Sequence, residues 1–394
     1  MKILLQSLSI EKYGFLIVII SFVITFIMIP KLIGIMRYEK LMDEPNSRSS
    51  HNTKIPILGG IAFFASLIIV LLFIQIYVET TISFYIITAL SILFLAGLKD
   101  DLIILSAREK IISQLLAITF LLASPEIQIH NFYGFLGFSE APIWFTIIFS
   151  YFAMLSIINA YNLIDGIDGL AAMLGIVIFA FLGLIFYSLQ LYFYFLLALV
   201  PLGFLSAFLR YNLSKNNKIF MGDAGSMITG FLIGVLVLRF LSLDFDQLEA
   251  IHIQPENALL LTLAMLFIMT FDTLRVIMIR MLNKKGLFKP DRNHVHHILI
   301  DSGLSHITAS IILTTYSLII ALAFFLMNQN MSTLSLFILF SLAIIFNMAA
   351  LFHLNMQNKI QYNKLKINPL TELKKFYLKM NIKRLAFNFF RLFF

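Results

Sequence analysis

Long apolar runs alternate with short polar intervals along the whole 394-residue chain. The runs have about the 17–25 residues that a helix needs to cross a bilayer's hydrocarbon layer. The pattern predicts eleven spans, at 14–36, 57–78, 82–98, 108–123, 142–162, 169–188, 191–209, 226–243, 258–280, 307–327 and 333–354. The intervals leave no room for a soluble domain larger than a loop. The first run is too long for a signal-peptide core and lacks a small-residue cleavage site, so it counts as a span. The expected fold class is an all-α polytopic membrane protein of about eleven transmembrane helices, with residues 1–354 as one membrane domain and 355–394 as a tail.

Composition agrees: 60% of the residues are apolar, against about 45–50% in soluble domains. The chain has no Cys, which excludes disulfides, thiolate metal sites and cysteine nucleophiles.

Basic residues set the orientation. With the N-terminus outside, all but Lys2, Lys12 and Arg239 of the 29 Lys and Arg fall on inner loops, inner helix ends or the tail. The outer intervals instead carry Glu79, Glu126, Glu140, Asp244, Asp246, Glu249 and Glu256. The C-terminus is then cytoplasmic. In the tail, Lys374, Lys375, Lys379, Lys383 and Arg384 interleave with Phe376, Tyr377, Leu378 and Leu385. That mixture suits an amphipathic segment on an anionic leaflet, and nothing else supports nucleic acid as a partner. The outer stretch from Ser124 to Pro142 is expected to form a short hairpin without chemistry.

Five polar clusters interrupt the apolar pattern, all on the inner side. The stretch from Asn159 to Leu170 places Asn159, Asn162, Asp165 and Asp168 with Gly166 and Gly169 between two spans. Carboxylates cost about 2.5–3.5 kcal/mol at a bilayer centre, so they belong at a membrane mouth. Upstream, Asp43-Glu44-Pro45-Asn46 leads to Lys54 and then to Gly59-Gly60, whose N–H groups at a helix start suit an anion. The inner end of the third span carries Asp100-Asp101, followed by Arg108, Glu109 and Lys110. Adjacent carboxylates repel unless a metal or strong cations stand by, and on a helix they point about 100° apart. Phe220-Met221-Gly222-Asp223-Ala224-Gly225-Ser226 opens the eighth span, and Asp291-Arg292-Asn293-His294-Val295-His296-His297 follows the ninth. With no Cys and with hard oxygen ligands elsewhere, the three His read as phosphate contacts rather than zinc ligands. Asp272 and Arg275, three apart, are expected to pair and hold helices together. Carboxylates and amide oxygens for Mg²⁺, with cations for phosphate, are what phosphoryl transfer requires.

In this order and spacing the clusters resemble the polyprenyl-phosphate N-acetylhexosamine-1-phosphate transferases, over roughly residues 14–310. The resemblance implies transfer of a sugar 1-phosphate from a UDP-N-acetylhexosamine to polyprenyl (undecaprenyl) phosphate, with UMP released. It implies Mg²⁺ as cofactor, with Mn²⁺ as a substitute, and an active site in a cleft of cytoplasmic loops. Carried over residue by residue, Asn162 and Asp223 match the metal ligands. Asp100 and Asp101 match the pair assigned to the lipid-phosphate nucleophile or to the metal. Asp168 and Phe220 match positions near the uracil, and Lys54 and Lys110 match positions near phosphate or nucleoside. Asp165 joins the same cradle, and Arg292, His294, His296 and His297 complete the donor side. Val295 interrupts the His run, which is similar to the branch using simple UDP-N-acetylhexosamines rather than the muramoyl-pentapeptide donor. A transporter of lipid-linked sugars is the alternative from another class, but such proteins tend to hold substrate charges near the midplane. The implied setting is a bacterial cytoplasmic membrane, with the lipid bilayer and both substrates as partners, a homodimer left open and no nucleic acid.

Overall fold

The computed structural model describes residues 9–39, 42–43, 55–135, 137–284, 286 and 293–367. Lys54, Arg292, most of the first inner loop and the tail beyond residue 367 lie outside the described residues. The chain runs through α1 (Ile10–Glu39), β1 (Met42–Asp43), β2 (Ile55–Pro56), α2 (Gly59–Tyr77), α3 (Ile82–Leu102) and α4 (Ala107–Leu122). The segment after α4 then forms β3 (Asn131–Phe135) and β4 (Phe138–Glu140), an antiparallel hairpin where one was expected. It continues as α5 (Ile143–Ile164), α6 (Leu170–Ser188), α7 (Tyr192–Asn212) and α8 (Gly222–Leu241). Last come α9 (Phe245–Ala250), α10 (Ala258–Met265), α11 (Phe267–Leu282), α12 (Val295–Asp301), α13 (His306–Met327) and α14 (Thr333–Ile367).

Each of the eleven apolar runs contains helix. Among the described residues nine helices are long and apolar enough to cross a membrane, so the chain is an all-α polytopic membrane protein. The expected ninth span is broken: α10 and α11 meet at an angle of 73°. Thr270 Oγ1 donates to the carbonyls of Leu266 (3.0 Å) and Phe267 (3.2 Å), meeting backbone groups at the break. Helix α4 has 16 residues, about 24 Å at 1.5 Å per residue and short for the ~30 Å hydrocarbon layer. Its two ends nevertheless lie beside the two ends of α8. Lys110 reaches Asp223, and Glu126, just past α4, accepts through its carbonyl from Ser242 Oγ (3.3 Å). The helix α14 runs unbroken through residue 355 to Ile367.

The core forms around α8, where every residue from Ala224 to Leu238 is buried. A helix apolar on all sides must be enclosed, and α2, α3 and α5 enclose this one. Close packing depends on missing side chains. A Cβ at Gly97 would lie 2.7 Å from Ala224 N, and one at Gly60 would lie 2.8 Å from the Ala224 carbonyl carbon. Interhelical hydroxyls add polar contacts inside the membrane domain, as when Ser21 Oγ pairs with Ser66 Oγ (3.0 Å) and donates to Val200 O (2.7 Å). Asn358 of α14 donates to Ile298 O (3.3 Å) and Ser302 Oγ (3.0 Å), tying α12 to α14.

Candidate active site

The site is built on the first turn of α8. The approach to that turn is held by backbone: Phe220 N donates to Pro56 O (2.8 Å), Gly59 N to Phe220 O (3.1 Å) and Gly60 N to Met221 O (3.0 Å). The Gly59-Gly60 pair was expected to offer its N–H groups to an anion. They are spent on this loop instead, because α2 starts directly against it. Gly222 then turns with φ +74°, and a Cβ there would lie 2.7 Å from Asp101 Oδ2. Only glycine meets both demands.

The last turn of α3 supplies both adjacent carboxylates, and they diverge. Asp101 accepts from the backbone N–H groups of Asp223 (Oδ1, 2.7 Å) and Ala224 (Oδ2, 3.2 Å), so it caps α8. Asp100 instead accepts from Leu105 N (2.5 Å) and pairs with the Lys110 ammonium at 2.5 Å. Lys110 is placed by the capping box of α4, in which Ser106 and Glu109 exchange hydrogen bonds. Its ammonium also reaches Asp223 Oδ1 (2.9 Å), so two carboxylates share one cation. Asn162, near the end of α5, donates to the same Asp223 oxygen (2.6 Å) and to Ser226 Oγ (2.7 Å). One turn deeper, Gln114 and Asn159 pair their amides (2.8 Å for Asn159 to Gln114 Oε1), closing the floor between α4 and α5.

Asp165 follows α5. Among the described residues its carboxylate and Asn162 Oδ1 accept no hydrogen bond. Burial, with Asp223 and Asp168 near, pushes the Asp165 carboxyl up to about 7. Among the described residues no cation pairs with Asp165. Asn162 Oδ1 and the Asp223 carboxylate, with Asp165 near, are hard oxygen groups of the kind that suits Mg²⁺, which takes few protein ligands and keeps waters.

Asp168 belongs to a second cluster. Its Oδ2 accepts from Lys218 Nζ (2.6 Å) and faces His306 Nδ1 (3.0 Å). Burial pushes this carboxyl up, but His306 and Lys218 outweigh it and hold Asp168 below the usual carboxylate range. The next residue, Gly169, has φ +83° and donates its N–H to Asn212 Oδ1 (2.7 Å). Lys218 also lies 5.5 Å over the Phe220 ring centre, so one ammonium serves both the Asp168 carboxylate and an aromatic face.

The His run packs behind this cradle. Asp272 accepts from Val295 N (2.9 Å) and pairs with His294 Nδ1 (2.8 Å), while Arg275 lies 3.7 Å from Asp272 and donates to Asn293 O. The expected Asp272–Arg275 pair is thus present, and it anchors the His segment to α11. His294 and His296 are buried, at 5% and 1% exposure, and His297 is half-buried. A Cβ on Gly166 would lie 2.8 Å from His296 Cε1, so this ring supports the Asp165–Gly166 turn from behind. Burial, with His297 beside it, pushes the His296 imidazole down to about 3, so the ring is neutral at ordinary pH.

Asp100, Asp101, Lys110, Asn162 and Asp223 therefore meet directly, Asp165 lies beside them, and Asp168 and Phe220 are linked through Lys218. Sequence reasoning missed Gln114, Lys218, Asn212 and His306, and gave no role to Ser226 within its motif. Lys218 lies just before that motif, whereas His306 and Gln114 carry no local signal.

A bundle of membrane helices with acids, amides and a lysine gathered at one end defines a polar site at a membrane mouth. The profile of glycosyl transferase family 4 matches residues 83–241, which include Asp100, Asp101, Lys110, Asn162 and Asp223. The chain is 30% identical over 319 residues to a probable undecaprenyl-phosphate N-acetylglucosaminyl 1-phosphate transferase of Bacillus subtilis, covering 78% of this chain and 83% of that protein. It is 32% identical to the undecaprenyl-phosphate alpha-N-acetylglucosaminyl 1-phosphate transferase of Salmonella typhi, over 71% of this chain and 75% of the relative. The protein of that name from Escherichia coli K12 is 29% identical over the same shares. The chain belongs to this family of membrane glycosyltransferases.

Proposed function

We propose that the protein transfers N-acetylglucosamine 1-phosphate from UDP-N-acetylglucosamine to undecaprenyl phosphate, releasing UMP and forming the first lipid-linked intermediate of a cell-surface glycan. The observation that carries this reading is the Lys110 ammonium held between Asp100 and Asp223 beside Asn162. A lipid-phosphate oxygen attacks the sugar-bearing phosphorus of the donor. The bond from that phosphorus to the bridging oxygen breaks, and UMP leaves with the bond's electrons. The attacking phosphate has a second pKa near 6 and is largely dianionic at pH 7, so it needs no general base. What it needs is positive charge, because two anions must approach. Lys110 supplies one, and Asp100 fixes where that ammonium points. Mg²⁺, held by Asn162 and Asp223, would neutralise the pyrophosphate. Asp168 and Phe220 receive the nucleoside at the other side of the cleft.

The membrane arrangement that fits this chemistry has eleven crossings, the N-terminus outside and the C-terminus cytoplasmic, in the bacterial cytoplasmic membrane. The two ends of α4, each in contact with one end of α8, support counting it as a crossing. The placement puts the polar cluster on the side where nucleotide sugars are made.

The test is release of UMP by purified protein given UDP-N-acetylglucosamine, undecaprenyl phosphate and Mg²⁺. Release that requires both the lipid phosphate and the metal is expected. UMP formed equally well without lipid phosphate, or only from the muramoyl-pentapeptide donor, would overturn the reading.

A further inference from the structure

The Asp168 cluster contains a feature that the reaction does not require. Lys218 and His306 both engage Oδ2 of Asp168, at 2.6 and 3.0 Å. Among the described residues Oδ1 accepts no hydrogen bond. The carboxylate therefore cannot turn over freely: exchanging its oxygens would break two charge-assisted contacts. The histidine comes from the first turn of α13, outside the stretch that the family profile matches. One turn further along, the buried Ser310 donates to the Asp168 backbone carbonyl at 2.8 Å. Two residues on one helix face thus hold both the main chain and the side chain of Asp168. His306 Nδ1 faces both the Asp168 carboxylate and, at 3.5 Å, the Asp168 backbone N–H, and with a proton on Nδ1 the ring donates to Oδ2.

We propose that His306 is a positioning residue for donor recognition, fixing Asp168 so that Oδ1 accepts from an N–H on the edge of a planar base. The base lies against the neighbouring Phe220 ring. Lys218 shares the carboxylate and neutralises it without occupying Oδ1. This inference rests on the proposed use of a UDP-sugar and assigns α13 a part in reading its nucleoside.

The closing experiment measures UMP affinity of the purified full-length protein by calorimetry, together with steady-state kinetics for each substrate. For His306→Ala, the UMP Kd and the donor KM should rise together by about tenfold, the scale of one hydrogen bond to a charged group. The kcat and the KM for undecaprenyl phosphate should stay within about twofold. His306→Gln, which keeps an N–H donor, should recover part of the loss. If His306→Ala does not fold, His306→Leu is compared with His306→Gln in the same way. Unchanged UMP affinity, a fall in kcat at constant donor KM, or equal weakening of both substrates would overturn the assignment. Wild-type protein that binds UMP without turning over the UDP-sugar would defeat the proposed function but leave the Kd comparison standing. Wild-type protein that binds no UMP would defeat this inference itself.

Discussion

Asp101 meets Asp223 through the backbone: its Oδ1 accepts the Asp223 N–H at 2.7 Å, while the Asp223 carboxylate faces away toward Lys110 and Asn162. One acid thus seats the helix that presents the other. The neighbouring Asp100 has a different task, because it pairs with Lys110.

The two adjacent acids should accordingly fail in different ways. Asp101→Asn replaces one acceptor with a donor facing a backbone N–H, and should lower stability by about 1–2 kcal/mol, the worth of a helix cap. Asp100→Asn should melt close to the parent and lose at least about tenfold in turnover, or roughly 1.4 kcal/mol in barrier. That loss should persist at pH 8.5, since the attacking phosphate is already dianionic. Recovery of Asp100→Asn to near wild-type turnover at pH 8.5 would restore a general-base role.

Asp165 yields a stability prediction with a defined sign. Its folded carboxyl titrates near 7, well above an ordinary Asp. Between about pH 4 and 7 the folded state therefore binds the extra proton, and stability falls with rising pH by at most about 1.4 kcal/mol per unit. In metal-free detergent, Asp165→Asn should raise the melting temperature more at pH 8 than at pH 5. An equal effect at both pH values would show that this carboxyl titrates normally.

Gly97→Ala should damage the site without touching a charged group. The added Cβ would press on the backbone of Ala224, and overpacking of this kind costs about 1–3 kcal/mol or more. Because the obstacle is main chain, Ala224→Gly should fail to rescue UMP release. Rescue by that second change would place the clash elsewhere.

Topology is testable directly. Reporter fusions at Asn131, in the hairpin, and at Lys359, on α14, should report opposite faces of the membrane. Both on one face would refute the eleven-crossing arrangement.

Most of the helical architecture could be read from the sequence because membrane burial imposes a length and an apolar content on every span. Two departures had no such mark. The run containing Leu266 looks continuous, since Thr270 serves the broken backbone as quietly as it would serve an intact helix. The spending of Gly59 and Gly60 on Phe220 and Met221 depends on a loop about 160 residues away in sequence. The acids, Lys110 and Asn162 stood out because charge and amides are costly in hydrocarbon. His306 did not, because a histidine at a helix start has many uses until Asp168 is seen beside it.

The seat of α8 is main chain resting on main chain at Gly60, Gly97 and Gly222. Flexible side chains can yield by degrees, whereas backbone against backbone leaves little to adjust. Defects in this seat should therefore appear as a smaller number of working molecules, each turning over at nearly the normal rate. Counting competent sites by a single-turnover burst would find the deficit in the burst amplitude, with the rate of the remaining sites preserved.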